Sequence, residues 1–590
     1  MTPSGIERAP GDGNASTRRP WKAIVEALAE EEVEFVFGLP GNPEFLYNDL
    51  ADHPEITPIL VRMETSAVFL AMAYARVSGK VGVLHASPGP GMANLVPGLL
   101  EAFYGCSPIV SLVSAADRNY EGMGVFQETP SMDLARPVSK WAVRIDIPER
   151  TTWTMERAFA LAQNGKPGPV YVELPGDVAA ANVTIPDYER PLVGLRPAAE
   201  PALAARAVEL LLAARAPAIV AGGGVALSHA ETELAELAKL LPAPVLTTPS
   251  GRGSISEHDP HAFGLVGLYR TESSAHALDS ADTVLLVGTR MEEFQSGLWK
   301  LFPHDARVIQ IDIDAFEIAR NIKPDVALVG DAGLVLGQLS NGLAAASTDD
   351  AHRAAHLAEL QAVRKEFEQE VERECAPVGD KLKTKQILHA VNSVLDGGVI
   401  LVNENGGQDL WSYYCPYFKV GLRGCVAPAE QTVMGLGVAG AIGAKLGRPE
   451  ATVVCVTGDS AFQMYAKEIP TAVQYGAPVL WIVLNNAGLG WPKWIQRATG
   501  EKYVATDFDA QPDHVALARA SGAHAESIST PDGIRPALER AKAALDEGVP
   551  AVIDCAIDTW DYPRGFVDFH RDVWGLELPG DRTEVTTQAD

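Results

Sequence analysis

The chain has 590 residues, 47% of them apolar and 21% charged, with a formal net charge of −28. That length suits about three or four domains, the composition is that of a globular protein, and the acidic balance argues against a nucleic-acid partner. No uninterrupted apolar stretch is long enough to span a bilayer, and the six cysteines lie far apart without metal-ligand spacing, as expected of free thiols in a reducing cytoplasm.

Residues 1–19 contain Gly, Pro and Ser without a hydrophobic pattern and read as a disordered tail. Arg18-Arg19 precedes Trp21-Lys22-Ala23 and a Glu-rich amphipathic segment, not the apolar run that twin-arginine export needs. Residues 20–184 then alternate apolar strands with helices, the signal for a parallel sheet. Within them, Val36 to Gly41 is a strand entering a tight turn, and Ile56 to Val61 is a strand ending at Glu64, where a small-residue helix begins. By itself Glu64 reads as an acid placed on a helix dipole. Ser87-Pro88-Gly89-Pro90-Gly91, followed by Asn94, is a glycine-rich turn opening another helix. A Pro-rich linker spans 185–201.

The second alternating segment, 198–345, contains Gly222-Gly223-Gly224 and the strand Val308 to Ile313; the glycine run alone is weak evidence for a nucleotide. A charged helical linker occupies 346–378. The third segment, 379–558, carries the most specific feature. Ala451 to Thr457 is a short β-branched run, Ala461 to Tyr475 has helical spacing closed by Gly476, and Pro478 to Leu484 is a second apolar run. A crossover of this kind brings the strand ends side by side, and with them Asp459 and, 27 residues on, Asn486. Open α/β sheets bind ligands there. Two hard oxygens beside a helix start suit Mg²⁺ and an anion. Residues 559–590 form an extension too aromatic for a free tail, with Trp560, Tyr562, Phe566, Phe569, His570 and Trp574. It is expected to pack over something, with 583–590 disordered. The predicted fold is α/β: three doubly wound parallel-sheet domains plus this aromatic extension.

Gly458-Asp459-Ser460 followed by Asn485-Asn486 resembles the thiamine diphosphate signature, with Ser460 where glycine is usual. Together with Phe126-Gln127-Glu128-Thr129-Pro130 and Gly168 to Pro175, it is similar to the acetolactate synthase-like branch of thiamine diphosphate-dependent enzymes: 2-oxo acid decarboxylases, carboligases and 2-hydroxyacyl-CoA lyases. The resemblance runs over about residues 20–560. It implies that 20–184 binds the pyrimidine and 379–558 the diphosphate. It implies Mg²⁺ on Asp459, Asn486 and the Gly488 carbonyl, and cofactor contacts from Gly41, Met434, Gly458, Asp459, Ser460, Ala461, Asn486 and Gly488. It makes Glu64 the activating glutamate: a carboxyl hydrogen-bonded to N1′ of the aminopyrimidine favours the imino tautomer, whose 4′-imine takes the C2 proton. Met434 would sit under the bend of the cofactor, and Gln127 would point into the active site. Asn42, Phe126, Trp491 and Ile495 are candidates for the substrate pocket. FAD is carried by the middle domain of some members, and Ile311-Asp312-Ile313-Asp314 resembles their dinucleotide-contacting strand.

Two departures bear on substrate. Acetolactate synthases read Gly-Ala-Arg-Phe-Asp-Asp-Arg, with the last arginine placed for a carboxylate, where this chain has Gly288 to Phe294; and Ile495 replaces a specificity tryptophan. With Trp491, Trp494 and the aromatic extension they point to an apolar or larger acyl substrate, or to a lid and core alone. The expected activity is decarboxylation or carboligation of a 2-oxo acid through a ylid and an enamine. Acetolactate synthase proper is second and a 2-hydroxyacyl-CoA lyase third. A non-catalytic regulatory subunit, the reading of another class, would lack Glu64 or the metal pair. The resemblance also implies a homodimer or homotetramer with its active site at the subunit interface, and a cytoplasmic protein.

Overall fold

The computed structural model describes residues 15–41, 45–346, 350–395 and 398–578. Each of the three alternating segments builds one six-stranded sheet in which every pairing is parallel. Helices cover such sheets on both faces, which is why strands such as Val479–Asn485 are buried along nearly their whole length. The chain divides into two compact units, one running to residue 195 without 76–79, the other holding 76–79 and everything from 196 onward.

In the first unit the strand order is Thr57–Leu60, Phe35–Gly38, Gly82–Ala86, Ile109–Ala115, Val170–Pro175, Trp141–Arg144. Helix Pro20–Glu30 lays Trp21, Ile24, Val25 and Leu28 against Val36, Val110 and Phe159. Upstream of it the structure corrects the sequence reading. Residues Ala15–Arg18, assigned to the disordered tail, form a strand antiparallel to Val183–Pro186. Arg18 is buried there, donating to the carbonyls of Ile185 and Pro186 at 3.0 Å each and pairing with Glu26 at 2.8 Å. A two-stranded ribbon is held by backbone groups and one guanidinium, neither of which leaves a hydrophobic pattern. Residues 1–14 and 583–590 lie outside the described residues.

The second unit holds two sheets. One runs Ala262–Leu265, Val245–Thr247, Pro217–Ala221, Thr283–Val287, Arg307–Asp312, Val326–Val329. Its glycine run has a packing reason: a Cβ on Gly222 would stand 2.2 Å from the Gly288 carbonyl oxygen, and one on Gly224 2.7 Å from the Gly288 Cα. The backbones of two strand-end loops cross there, and only glycine fits. Helix Ala351–Glu374 leads on to the last sheet, ordered Cys425–Val426, Val399–Asn403, Thr452–Gly458, Val479–Asn485, Ala551–Ala556, His524–Ile528. The helix expected over 461–475 is split into Asp459–Tyr465 and Ile469–Gln474 by a 3₁₀ turn at Ala466–Glu468. Pro470 has no N–H to give an α-helix and is tolerated in the first turn of the second piece. All six cysteines are free.

Candidate active site

In the last sheet the chain leaves Val399–Asn403 towards Cys425–Val426 on one side and towards Thr452–Gly458 on the other. The crevice lies where the strand order reverses. Three polar loops leave the carboxyl ends of the strands there, at Glu404, Asp459 and Asn486. Gly458 is paired with Leu484 in register, so Asp459 and the Asn485-Asn486 pair stand at the same level of the sheet.

Asp459 is 1% exposed and opens helix Asp459–Tyr465. Its Oδ2 accepts from the Gly488 N–H at 3.1 Å and from Gln511 Nε2 at 2.6 Å, and its Oδ1 from the Ser460 hydroxyl at 3.3 Å. Burial raises its pKa above the ordinary carboxylate value in spite of these donors. Gly488 cannot be anything else, since a Cβ would lie 2.3 Å from the Thr506 carbonyl oxygen. At Gly490 a Cβ would lie 2.1 Å from Gln408 Oε1 and 2.8 Å from Asn486 Nδ2. The sequence-predicted Asp459, Ser460, Asn486 and Gly488 are thus brought together, with Gly458 and the buried Ala461 flanking them. Among the described residues no three His, Cys, Asp or Glu side chains converge on a cation. A cation held here would draw on one carboxylate with amide and carbonyl oxygens, a donor set that fits Mg²⁺.

Sequence reasoning missed the third loop. Asp409 is fully buried, accepts from the Gly406 N–H at 3.1 Å and also holds the Gly458 N–H. Glu404 binds the N–H groups of Gly435 and Val438 at 3.1 and 3.2 Å, closing the start of helix Leu436–Gly447 behind Met434. Burial pushes these carboxyls up, to about 7 for Asp409 and about 8 for Glu404. Asn405 pairs with Tyr269, and its Oδ1 is buried with no hydrogen bond among the described residues. The available signal was Glu404-Asn405-Gly406-Gly407-Gln408-Asp409 directly after an apolar strand.

In the first unit Glu64 is 6% exposed and begins helix Glu64–Ser78. Asn94 Nδ2 donates to its Oε2 at 2.9 Å. A Cβ on Gly91 would come 3.3 Å from the other oxygen, Oε1, so glycine keeps that side open. Gly41 lies against Ser87, where a Cβ would sit 2.6 Å from the serine Cβ. Gln127 is half-buried in a turn at φ +60°, against Gly89. Phe126 points to solvent, 74% exposed. Asn42 lies outside the described residues.

Met434 is 39% exposed, so it does not pack in the core. The aromatic residues read as a sign of a larger substrate are taken up by one another instead. Trp494 is fully buried, with Phe566 and His570 at centroid distances of 5.2 and 4.5 Å. Trp491 packs on Phe294 and Phe566, and Ile495 is half-buried on the same core. The extension is therefore part of the core through helix Arg564–Trp574. His570 donates from Nδ1 to the Phe566 carbonyl at 2.7 Å and accepts the Trp491 Nε1–H at Nε2, 3.0 Å. Burial lowers its pKa from 6.5 to about 4. A histidine held neutral in the fold adds stability that is fully present above its unfolded value and is lost as pH falls through the window from 6.5 to about 4. The loss reaches about 3 kcal/mol by linkage. Buried His85 adds to the same slope and the raised carboxyls of Glu404 and Asp409 oppose it. The contribution is therefore read as the difference in stability between wild type and His570→Phe, which should change between about pH 7 and pH 4 in thermal unfolding of the cofactor-free proteins; a difference that does not change with pH would remove His570 as its source.

Three family models match the chain: thiamine pyrophosphate enzyme, N-terminal TPP binding domain, over residues 21–135; the central domain of such enzymes over 204–339; and their C-terminal TPP binding domain over 409–555. Among curated proteins, the chain is 32% identical over 553 residues to a "probable acetolactate synthase large subunit" of Methanococcus aeolicus, covering 91% of this chain and 92% of that one. It is 31% identical over 535 residues to the acetolactate synthase large subunit of Haemophilus influenzae, covering 88% and 91%. To the acetolactate synthase isozyme 3 large subunit of Escherichia coli it is 30% identical over 546 residues, covering 91% and 94%.

Proposed function

The chain belongs to the thiamine pyrophosphate enzyme family, in its acetolactate synthase-like branch, and from that premise we propose that it is an acetolactate synthase catalytic chain. It would join two molecules of a 2-oxo acid, pyruvate in the simplest case, with loss of one carbon dioxide. The observation that carries this is the likeness to synthase large subunits along about nine-tenths of both chains. The sequence reading ranked the synthase behind a general decarboxylase or carboligase; the relatives reverse that order.

In this proposal Mg²⁺ is held by Asp459, Asn486 and the Gly488 carbonyl, and the diphosphate through it. Bound thiamine diphosphate supplies the ring that accepts the electron pair released by decarboxylation. The chain's residues do the rest. Glu64 holds or gives a proton at Oε1, the side that Gly91 leaves open, while Asn94 fixes the other oxygen. Gln127 faces substrate, and Met434, standing clear of the core, is available to the cofactor. A homodimer or homotetramer with the site at the subunit interface, and a cytoplasmic location, belong to the same proposal. The glycine run read as a weak nucleotide signal has a packing reason, the backbone crossing at Gly288. A visible absorption spectrum of the purified protein reads whether the middle domain carries flavin.

One observation favours a second reading, a carboligase or decarboxylase of a less polar 2-oxo acid. Phe294 stands where the resemblance puts an arginine for the substrate carboxylate, its ring 5.8 Å from Trp491 and 6.2 Å from both Phe569 and Trp574. Carbon dioxide release from pyruvate, with and without thiamine diphosphate and Mg²⁺, with the product identified in the same tube, separates the readings. Cofactor-dependent release yielding acetolactate is expected. Acetaldehyde as product would make the protein a decarboxylase. No release from a protein that binds the cofactor would overturn pyruvate as substrate.

A further inference from the structure

Resting on the reading of Asp459 as a metal ligand, the arrangement around its two oxygens carries a further step. The stretch after helix Gly490–Gly500 folds back over the metal-side loop. Leu489 N–H donates to the Thr506 carbonyl at 2.8 Å, and Phe508 N–H to the Ala487 carbonyl at 2.9 Å. Gly488 and Asp507 form an isolated antiparallel bridge. Beyond it, Pro512 restricts the backbone, and Asp513 caps the next helix by accepting from Ala516 N–H at 2.9 Å. Gln511 is held between these anchors, half-buried, with its Nε2 2.6 Å from Asp459 Oδ2. The Gly488 N–H reaches the same oxygen at 3.1 Å. Oδ2 therefore accepts two N–H donors, as many as its lone pairs. Oδ1 meets the Ser460 hydroxyl at 3.3 Å, and the Ser460 N–H also reaches the carboxylate.

We propose that Gln511 is a positioning residue that occupies Asp459 Oδ2 and leaves Oδ1 alone for the cation, so that the site takes Mg²⁺ in preference to Ca²⁺. The chemistry follows from coordination number. Mg²⁺ demands a near-octahedral shell and is commonly bound through single carboxylate oxygens, whereas Ca²⁺ takes up to about eight oxygens and accepts both from one carboxylate. Without the Gln511 donor, Oδ2 keeps the Gly488 N–H but has a lone pair to give, so Asp459 can bind through both oxygens, which helps the larger ion and loosens the aim of Oδ1 for the smaller. Outer partners of metal ligands typically change metal affinity by about 10–100-fold when removed.

The test uses the full chain and reads binding. Thiamine diphosphate is titrated by calorimetry into the wild type, Gln511→Leu and Gln511→Ala at graded Mg²⁺ or Ca²⁺. Leucine fills the space without a donor, and alanine keeps the test open if leucine does not fold. The expected result is a rise of about tenfold or more in the Mg²⁺ concentration for half-maximal binding, with the Ca²⁺ requirement unchanged or lowered. Equal shifts for both ions, or none, overturn the proposal. Failure of the underlying reading looks different: wild-type binding would then be independent of divalent ions, or Asp459→Ala would still respond to Mg²⁺, and both readings would fall together.

Discussion

Replacing Glu64 by Gln is expected to cut cofactor-dependent turnover by about two to four orders of magnitude while the protein still folds and still binds thiamine diphosphate. The two roles open to Glu64 predict opposite results. As an acid on the dipole of helix Glu64–Ser78, it would contribute at most about 1 kcal/mol of stability, and its loss would leave the rate untouched. As a proton-holding group facing the cofactor, it would contribute little to stability and most of the rate. The surroundings support the second. Gln keeps the volume and can keep an oxygen towards the Asn94 Nδ2, now 2.9 Å from Glu64 Oε2, so the local packing survives. What the amide cannot do is hold a transferable proton on the side next to Gly91. Carbon dioxide release at saturating cofactor, beside a thermal melt of the cofactor-free variant, decides it. Normal turnover would take Glu64 out of the chemistry.

How much of this site could be read in advance followed the range of the signal. Asp459 and Asn486 were legible because a strand, a helix and a strand of ordinary length fix where both residues emerge, all within one short stretch. The break in the intervening helix did not matter, since the second strand still docks in register beside the first. The place of Glu64 at a helix start was legible, whereas its role in the chemistry comes by resemblance alone, because an acid at a helix start has an ordinary explanation. Glu404 and Asp409 escaped notice although they share the crevice with Asp459. They belong to the loop after strand Val399–Asn403, some fifty residues earlier in the chain, and nothing local says that Asp409 will hold the Gly458 N–H. Ala15–Arg18 escaped for the same reason more strongly, since its partner strand begins at Val183. The aromatic extension shows the opposite failure. Composition gave large apolar faces that had to be covered, but not what covers them; Trp491 and Trp494 pack on Phe566 and His570. Gly222 to Gly224 likewise had a visible glycine run and an invisible reason, the close pass of Gly288.

Replacing Asp459 by Ala is expected to abolish Mg²⁺-dependent binding of thiamine diphosphate without destabilising the cofactor-free protein. A buried carboxylate that receives hydrogen bonds would usually be called structural, and its removal would then lower the melting temperature. Asp459 differs in the balance of its surroundings. Burial outweighs the donors from Gln511, Gly488 and Ser460, so its pKa lies above the ordinary value and charging it without a cation costs free energy. Alanine removes that cost along with the hydrogen bonds. A divalent cation would supply the compensating positive charge. In the wild type, cofactor and Mg²⁺ at about a hundred times the dissociation constant should add about 2.7 kcal/mol of stability by mass action. In Asp459→Ala that increment should vanish while the cofactor-free melting temperature stays level or rises. A variant that melts lower without cofactor yet keeps the full ligand-induced shift would mean that Asp459 holds the loop and another oxygen holds the metal.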